Sequence, residues 1–474
     1  MADKAKEKNI TLIVLVFLLC AAVLTLYSHS SPFHLMNTWD DVNGNLTIGK
    51  CIANGIVLYR DIFEQRGPLL YFLHTIAYWI SPDSYHGIWI LELMFCGMFV
   101  YFTYKILSLY ERMDGIVFLP FLMILIYSSR SYVQGGSPEE FCMPILTASL
   151  YILLKALKNG RMLKDSEYVW IGICSGMVLW IKYSMLGFYF GSVLPVLFFV
   201  FCTEGFKGVI RLIVGVFAGV CISSIPIAVY FLANQATDCL FHVYFFINMN
   251  YYPSNDSIIY KVYLTARGLL SAVVKNWKYW IFTAIGLFQL FRIEKKNSVI
   301  ITILFGAAGL GIVIYHIGRW YLYYALILSI YAIFFLLVIP KLSTAVKAST
   351  LLVSTICVVF LGIPRYNARL EMNKDDYVQY RFAEEIGEGA TLLNYQFLDG
   401  GFFFAADILP DQYYAWSCNI PYDEIRQEQN AYVREGRTIY IVARNHDVEE
   451  ADRAHRYVLI DEDDGLCLYR RRET

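Results

Sequence analysis

Residues 4–26 read KAKEKNITLIVLVFLLCAAVLTL. Three lysines, Lys4, Lys6 and Lys8, precede a largely apolar run over 10–26, and at about 1.5 Å per residue such a run crosses a hydrocarbon layer roughly 30 Å thick. No small-residue cleavage site follows it, so it reads as a retained first span with its lysines on the cytoplasmic side. The composition extends that reading to the whole chain. Of 474 residues 57% are apolar, the mean hydropathy is +0.48 and only 17% are charged, where a soluble domain carries roughly a quarter. A net charge of -1 gives no global field for nucleic acid.

Further apolar segments, at 86–109, 116–129, 141–154, 169–181, 186–201, 209–232, 279–290, 299–315, 320–339 and 351–363, bring the expected spans to about eleven. The connections then alternate in charge. Lys155, Lys158, Arg161 and Lys164, then Lys207 and Arg211, then Arg292, Lys295 and Lys296, then Lys341 and Lys347 all fall on the side of the N-terminus, as the positive-inside rule requires. The opposite face receives 27–85, 131–140, the long 233–264 loop and the tail. The expected architecture is an all-α polytopic membrane protein over 1–364, with interfacial helices in its first outer loop, followed by a small extracytoplasmic α/β domain over 365–474. In that tail the pattern predicts helices over 376–386 and 422–434 and strands over 391–395, 438–442 and 457–461. It holds no Gly-rich phosphate loop or nucleophile elbow, so it reads as a lid or stabilising cap. The eleven cysteines show no metal spacing; Cys418 and Cys467 could pair.

Charge concentrates in the first outer loop. Asp40-Asp41 is followed by Tyr59-Arg60-Asp61-Ile62-Phe63-Glu64-Gln65-Arg66-Gly67-Pro68-Leu69-Leu70-Tyr71. The acidic pair could be a solvated turn or a helix start, but two arginines in the same loop suit a phosphate. The segment Gly135-Gly136-Ser137-Pro138-Glu139-Glu140 brings a second acidic group, readable equally as a helix N-terminus. Lys182 sits at a span boundary, either functional or snorkelling. Arg319 lies in the aromatic turn 315–324, with Tyr321, Tyr323 and Tyr324, either functional or anchored in an aromatic belt.

Taken together, the first outer loop with its acidic pair, the run Phe63-Glu64-Gln65-Arg66-Gly67-Pro68-Leu69-Leu70-Tyr71-Phe72, the Gly-Gly-x-x-Glu-Glu segment and the Gly318-Arg319-Trp320-Tyr321 turn resemble the GT-C integral-membrane glycosyltransferases, of the protein-mannosyltransferase and aminoarabinose-transferase type. Arg66 stands where a lysine is commoner, and Tyr323 where related sequences often carry histidine. The resemblance implies transfer of a sugar from a polyprenyl-phosphate donor to a glycan, lipid or protein acceptor of the envelope, on the extracytoplasmic face of a bacterial membrane.

The residues suit that reaction. Phosphate is a good leaving group, so the demand is for a base toward the acceptor hydroxyl, which Asp40 or Asp41 can supply; direct displacement inverts the anomeric carbon. Arg60, Arg66, Lys182 and Arg319 are candidates for holding the lipid phosphate. Glu139 or Glu140 could orient the acceptor, and Asp40, Asp41 and Glu140 could complete a divalent-metal site, metal dependence being open. Tyr59, Tyr71, Tyr251, Tyr321 and Tyr324 are candidate substrate contacts. Competing readings are a transporter or flippase, which would call for midplane charges and a repeat, and a non-catalytic scaffold.

Overall fold

The computed structural model describes residues 2–252, 257–316, 320–444, 448 and 456–472. The chain divides into two compact units, one formed by 1–31, 89–226 and 254–366, the other by 32–88, 227–253 and 367–474.

The first unit is a bundle of apolar helices. Among the described residues the helices Ile10–Tyr27, His86–Leu109, Pro138–Asn159, Asp165–Ala233, Asn297–Tyr315 and Thr344–Glu371 are long and apolar enough to cross a membrane, and Met113–Tyr127 and Leu322–Val338 are shorter apolar helices. The stretch to Ala233 is not one rod: its part Gly187–Ala233 breaks at Gly205, whose φ of 64° and ψ of -154° leave the helical region. Every expected span thus falls on a helix, Trp277–Ile293 included. Glycines explain how closely these helices cross. A Cβ on Gly172 would lie 2.2 Å from the carbonyl oxygen of Val216, and one on Gly219 2.1 Å from that of Val169; Gly187 and Gly309 oppose each other in the same way. In lipid, where apolar surface gains little by leaving solvent, such small residues let backbones meet and dispersion do the binding.

Residues Leu322–Val338 are wound as a 3₁₀ helix, buried almost throughout from Tyr324 to Leu337. At about 2.0 Å rise per residue, 17 residues extend roughly 34 Å, which lets a segment too short for an α-helical crossing reach across the hydrocarbon. Gly115 and Gly286 flank it, each so near its backbone that a Cβ would lie 2.2 Å away.

At one end of the bundle the basic clusters meet carboxylates. Arg161 pairs with Glu167 at 2.6 Å, Arg211 with Asp165 at 2.7 Å and Lys347 with Asp114 at 2.5 Å, while Lys158 lies 3.9 Å from Glu294. Two of these pairs link separate basic connections, Arg211 to the one at 155–165 and Lys158 to the one at 292–296.

The region 233–264, expected as a loop, is largely helical. It contains Thr237–Leu240, a π-helical turn Phe241–Ile247 and Asn248–Asn250, and after 253–256, which lie outside the described residues, the helix Ile258–Lys275. The cluster of Asn, Tyr and Pro near 248–255 reads as loop chemistry, but Ser257 caps the following helix by accepting from the Tyr260 N–H at 3.3 Å.

The second unit is built on the helix Asp40–Ala53, buried continuously from Asp41 to Cys51. It packs on the helix Pro68–Ile80 where Gly49 meets the His74 backbone, 2.5 Å from a would-be Cβ. The tail supplies a sheet of β1 (Leu392–Tyr395), β2 (Tyr440–Arg444), β3 (Tyr457–Asp463) and β4 (Leu466–Arg471) in the order β1-β2-β4-β3. β1 and β2 are parallel; β4 runs antiparallel to both neighbours. The expected helices and first three strands are present, as Val378–Ile386 and Asp423–Glu435 for the helices. β4 was not expected, because Leu466-Cys467-Leu468-Tyr469-Arg470-Arg471 ends in charge, yet Cys467, Leu468 and Tyr469 are buried. Cys418 and Cys467 form no disulfide, so the possible pairing is not made.

Side chains fasten the tail to the Asp40–Ala53 helix. Thr47 donates to Asp399 at 2.5 Å, Lys50 to Asp407 at 2.5 Å, and Arg444 to Asp40 at 3.2 Å. Asp399 also accepts the Gly401 N–H at 2.8 Å; burial raises its carboxyl to about 6.

Candidate active site

In the second unit Asp40 and Asp41 open their helix directly after Trp39, whose side chain makes no capping bond. Both acids sit where unpaired N–H groups favour negative charge. Consecutive helical residues point about 100° apart, and the two carboxylates accordingly have different partners. Asp41, 3% exposed, accepts from Arg66 Nη2 at 2.5 Å. Glu64, 1% exposed, accepts from Arg66 Nη1 at 2.9 Å, takes the Gln65 N–H at 2.7 Å and receives the Cys418 thiol at 3.6 Å. Burial and the neighbouring Glu64 push that thiol up.

Arg66 is positioned by its backbone. Tyr59 donates its hydroxyl to the Arg66 carbonyl, and Tyr71 accepts the Arg66 N–H at 3.1 Å. Both phenols are fully buried. Two of the tyrosines considered for substrate contact are therefore braces behind the guanidinium. Tyr59 adopts a φ of 65°, a conformation uncommon for a bulky residue and affordable only where surroundings enforce it. Here stacking on Phe231 at 5.6 Å contributes.

Asp40 faces a cavity of about 810 Å³ shared with Arg444. Burial raises its carboxyl, and Arg444 opposes that rise. Arg60 is surface-exposed, donating to Asp61 at 2.8 Å and to the Asn234 carbonyl at 2.8 Å, and holds the Asp61 carboxyl down. Tyr251 stands edge-on to Tyr422 at 4.9 Å.

The first unit carries its own charged cluster. Ser137 caps the helix Pro138–Asn159, accepting the Glu140 N–H at 3.1 Å, and places Glu139 and Glu140 in the first turn. Glu139 accepts from Lys182 at 2.5 Å. The ammonium lies 3.9 Å from the ring centre of Tyr324 and 5.1 Å from that of Tyr323, and Tyr321 packs on both rings. This is an ion pair in an aromatic seat. Glu140 accepts the Gly136 N–H at 2.9 Å and neighbours Glu92, which in turn accepts from Ser28 at 2.5 Å. Gly135, at a φ of 84°, fits only because it lacks a Cβ, which would lie 2.4 Å from Glu92 Oε1. Arg319 lies outside the described residues.

No group of three or more His, Cys, Asp or Glu side chains disposed to hold a metal ion occurs among the described residues. Asp40, Asp41 and Glu140 accept from Arg444, Arg66 and the Gly136 N–H respectively. Metal dependence, left open by the sequence, stays open.

Glu64, Glu92 and Asp399 join these polar clusters although the sequence does not mark them as site residues. Glu64 lay inside the Phe63–Phe72 run beside Arg66, and Glu92 is a lone acid within an apolar span, itself a signal. Nothing local marks Asp399, whose partner Thr47 is 352 residues away.

No family model matches the sequence, and no curated protein sequence matches it. The fold does have relatives: it is the GT-C fold of integral-membrane glycosyltransferases. The aminoarabinose transferase ArnT from Cupriavidus metallidurans, in the apo state, superposes with a TM-score of 0.63 at 12% identity over 98% of each chain. The same enzyme bound to undecaprenyl phosphate gives 0.58 at 11%, again over 98% of each. The oligosaccharyltransferase AglB from Archaeoglobus fulgidus, in complex with an inhibitory peptide and a dolichol-phosphate, gives 0.51 at 14% over 93% of this chain and 70% of its own. That archaeal enzyme has also been solved with zinc and sulfate.

Proposed function

We propose that this chain is a membrane glycosyltransferase that moves a sugar from a polyprenyl-phosphate-linked donor to an envelope acceptor on the extracytoplasmic face, with inversion. The observation that carries the reading is the buried Asp41–Arg66–Glu64 cluster on a fold whose solved relatives include one bound to undecaprenyl phosphate.

Two carboxylates face one guanidinium, so Arg66 has no spare charge for a phosphate while both hold it. Glu64 anchors Nη1, and the arriving donor phosphate takes Nη2 from Asp41. Asp41 is released as a base only when the donor is present. The acceptor oxygen then forms its bond to the anomeric carbon, its proton passes to Asp41, and the carbon–oxygen bond to phosphate breaks with its electron pair on the lipid phosphate, which Arg66 stabilises. Lys182, seated against Glu139 in the helical unit, is a separate candidate cation for a phosphate. Asp40 belongs to the acceptor side and Arg60 to the surface. The basic end of the helical bundle faces the cytoplasm and the tail lies outside, in a bacterial plasma membrane.

The test is transfer from a labelled polyprenyl-phosphate sugar by the purified protein. Asp41→Asn should lower turnover by roughly 10²- to 10⁴-fold while lipid-phosphate binding persists. Full turnover by Asp41→Asn would remove Asp41 as the base. Absence of transfer by the native protein with hexosyl and pentosyl donors, together with lipid counterflow in vesicles, would replace the enzyme with a transporter.

A further inference from the structure

We infer that the cavity bounded by Asp40, Arg444 and Phe397 is a saccharide subsite that takes the acceptor through neutral or amino-bearing sugar rings and turns away phosphorylated ones; its role in transfer rests on the glycosyltransferase reading. Its volume, about 810 Å³, lies in the range of roughly 300–1,000 Å³ typical of small-molecule sites. Its walls come from the start of the Asp40–Ala53 helix, from the segment 376–379 and from the β3–β4 turn, with Phe397 between.

The charge on those walls decides the ligand. Among the described residues Asp40, Asp376, Asp463 and Asp464 line the cavity, and the cation that does so is Arg444. That guanidinium is already placed, bonded to Asp40 at 3.2 Å and stacked 5.1 Å from the Phe397 ring centre. Asp463 is paired with Arg381, which stands outside the lining. Two paired acids leave Asp376 and Asp464 as the surplus, so the cavity has a negative potential toward whatever enters. Among the described residues a phosphate would meet like charge with no uncommitted guanidinium to receive it, the kind of repulsion by which a site excludes the wrong partner. A sugar hydroxyl or ammonium is a donor, and carboxylates are pure acceptors with several lone pairs each. Phe397, 7% exposed and covered by the Arg444 guanidinium, backs this wall and holds that cation in place.

The cavity also explains why the acidic pair is a pair. Asp41 is locked with the cation that suits the donor, whereas Asp40, one residue earlier and about 100° round the helix, looks into the cavity that would hold acceptor rings beyond the reacting hydroxyl, which itself reaches Asp41. One helix start thus presents a carboxylate to each side of the reaction.

Binding of three probes to the full-length protein in lipid nanodiscs tests this by calorimetry: a glucosamine trimer, an N-acetylglucosamine trimer and glucosamine 6-phosphate. The expected order is glucosamine trimer tightest, the N-acetylated trimer weaker, and no heat from the phosphate. The double variant Asp376→Asn with Asp464→Asn, both on the exposed rim, should lose about tenfold in affinity for the glucosamine trimer and leave the N-acetylated trimer nearly unchanged. No binding of either trimer by the native protein, equal binding of the phosphorylated sugar, or an unaltered affinity in the double variant would each overturn the assignment. Donor turnover measured in parallel separates the two ideas. Transfer without trimer binding leaves the enzyme and removes this subsite, while trimer binding sensitive to the double variant, without transfer from any polyprenyl-phosphate sugar, keeps the subsite and removes the enzyme.

Discussion

At the scale of single residues, Arg66 and Asp399 show how burial sets chemistry. Arg66 meets two buried carboxylates through separate nitrogens, a bidentate geometry that an ammonium cannot reproduce. Arg66→Ala should therefore abolish lipid-phosphate binding and also destabilise the fold, since it leaves Asp41 and Glu64 buried without a cation, a change that costs about 3–5 kcal/mol. Arg66→Lys should recover stability in part and donor affinity less, checked by thermal unfolding and lipid-phosphate titration. Asp399 carries a pH signature. Its folded carboxyl stands at about 6 against an ordinary 3.8, so its contribution to stability is fully present below about pH 4 and is lost as pH rises through about 6. One pKa unit is about 1.4 kcal/mol, so the loss is about 3 kcal/mol. Asp399→Asn should remove that slope from the difference in unfolding free energy between variant and native protein; parallel profiles would refute it. Of these residues the sequence marks Arg66 and Asp41 through charge crowded beside apolar runs. It could not mark Asp399, because the argument for it is a bond to a helix at the other end of the chain.

At the scale of elements, the apolar runs were legible because lipid demands length and hydrophobicity, and every expected span falls on a helix. The 233–264 region and β4 were not, since a helix partnered on one face and a strand ending in arginines both depend on neighbours for their burial. Glycine spacing carries a prediction. Gly172 and Gly219 meet at a crossing with no room for a Cβ, so Gly219→Val should cost about 1–3 kcal/mol through overpacking and lower the unfolding temperature in detergent. Glycosyl transfer at temperatures below the transition should be kept, because neither glycine touches a charged cluster. An unchanged unfolding temperature would mean the helices can part at little cost.

At the scale of the molecule, ion pairs link the connection at 155–165 to Arg211 and to Glu294, the neighbourhood that the positive-inside rule expects of connections on one side. The orientation it implies is testable in cells. Asp464→Cys on the tail should react with a membrane-impermeant maleimide in intact bacteria, and Lys158→Cys only after permeabilisation; the reverse pattern would invert the topology and remove the extracytoplasmic reading. The tail's fastening to the Asp40–Ala53 helix by Thr47, Lys50 and Asp40 likewise shows it to be part of that unit's architecture, which its polar sequence alone presents only as a cap.

The two phenols that grip the Arg66 backbone have a consequence for how this cation can evolve. Tyr59 satisfies the carbonyl and Tyr71 the N–H, so the loop's geometry is specified without any help from the side chain it displays. Position 66 is in effect a socket: the main chain is held by the two phenols whatever side chain it carries, so a substitution there should alter the charge presented without rebuilding the turn that presents it.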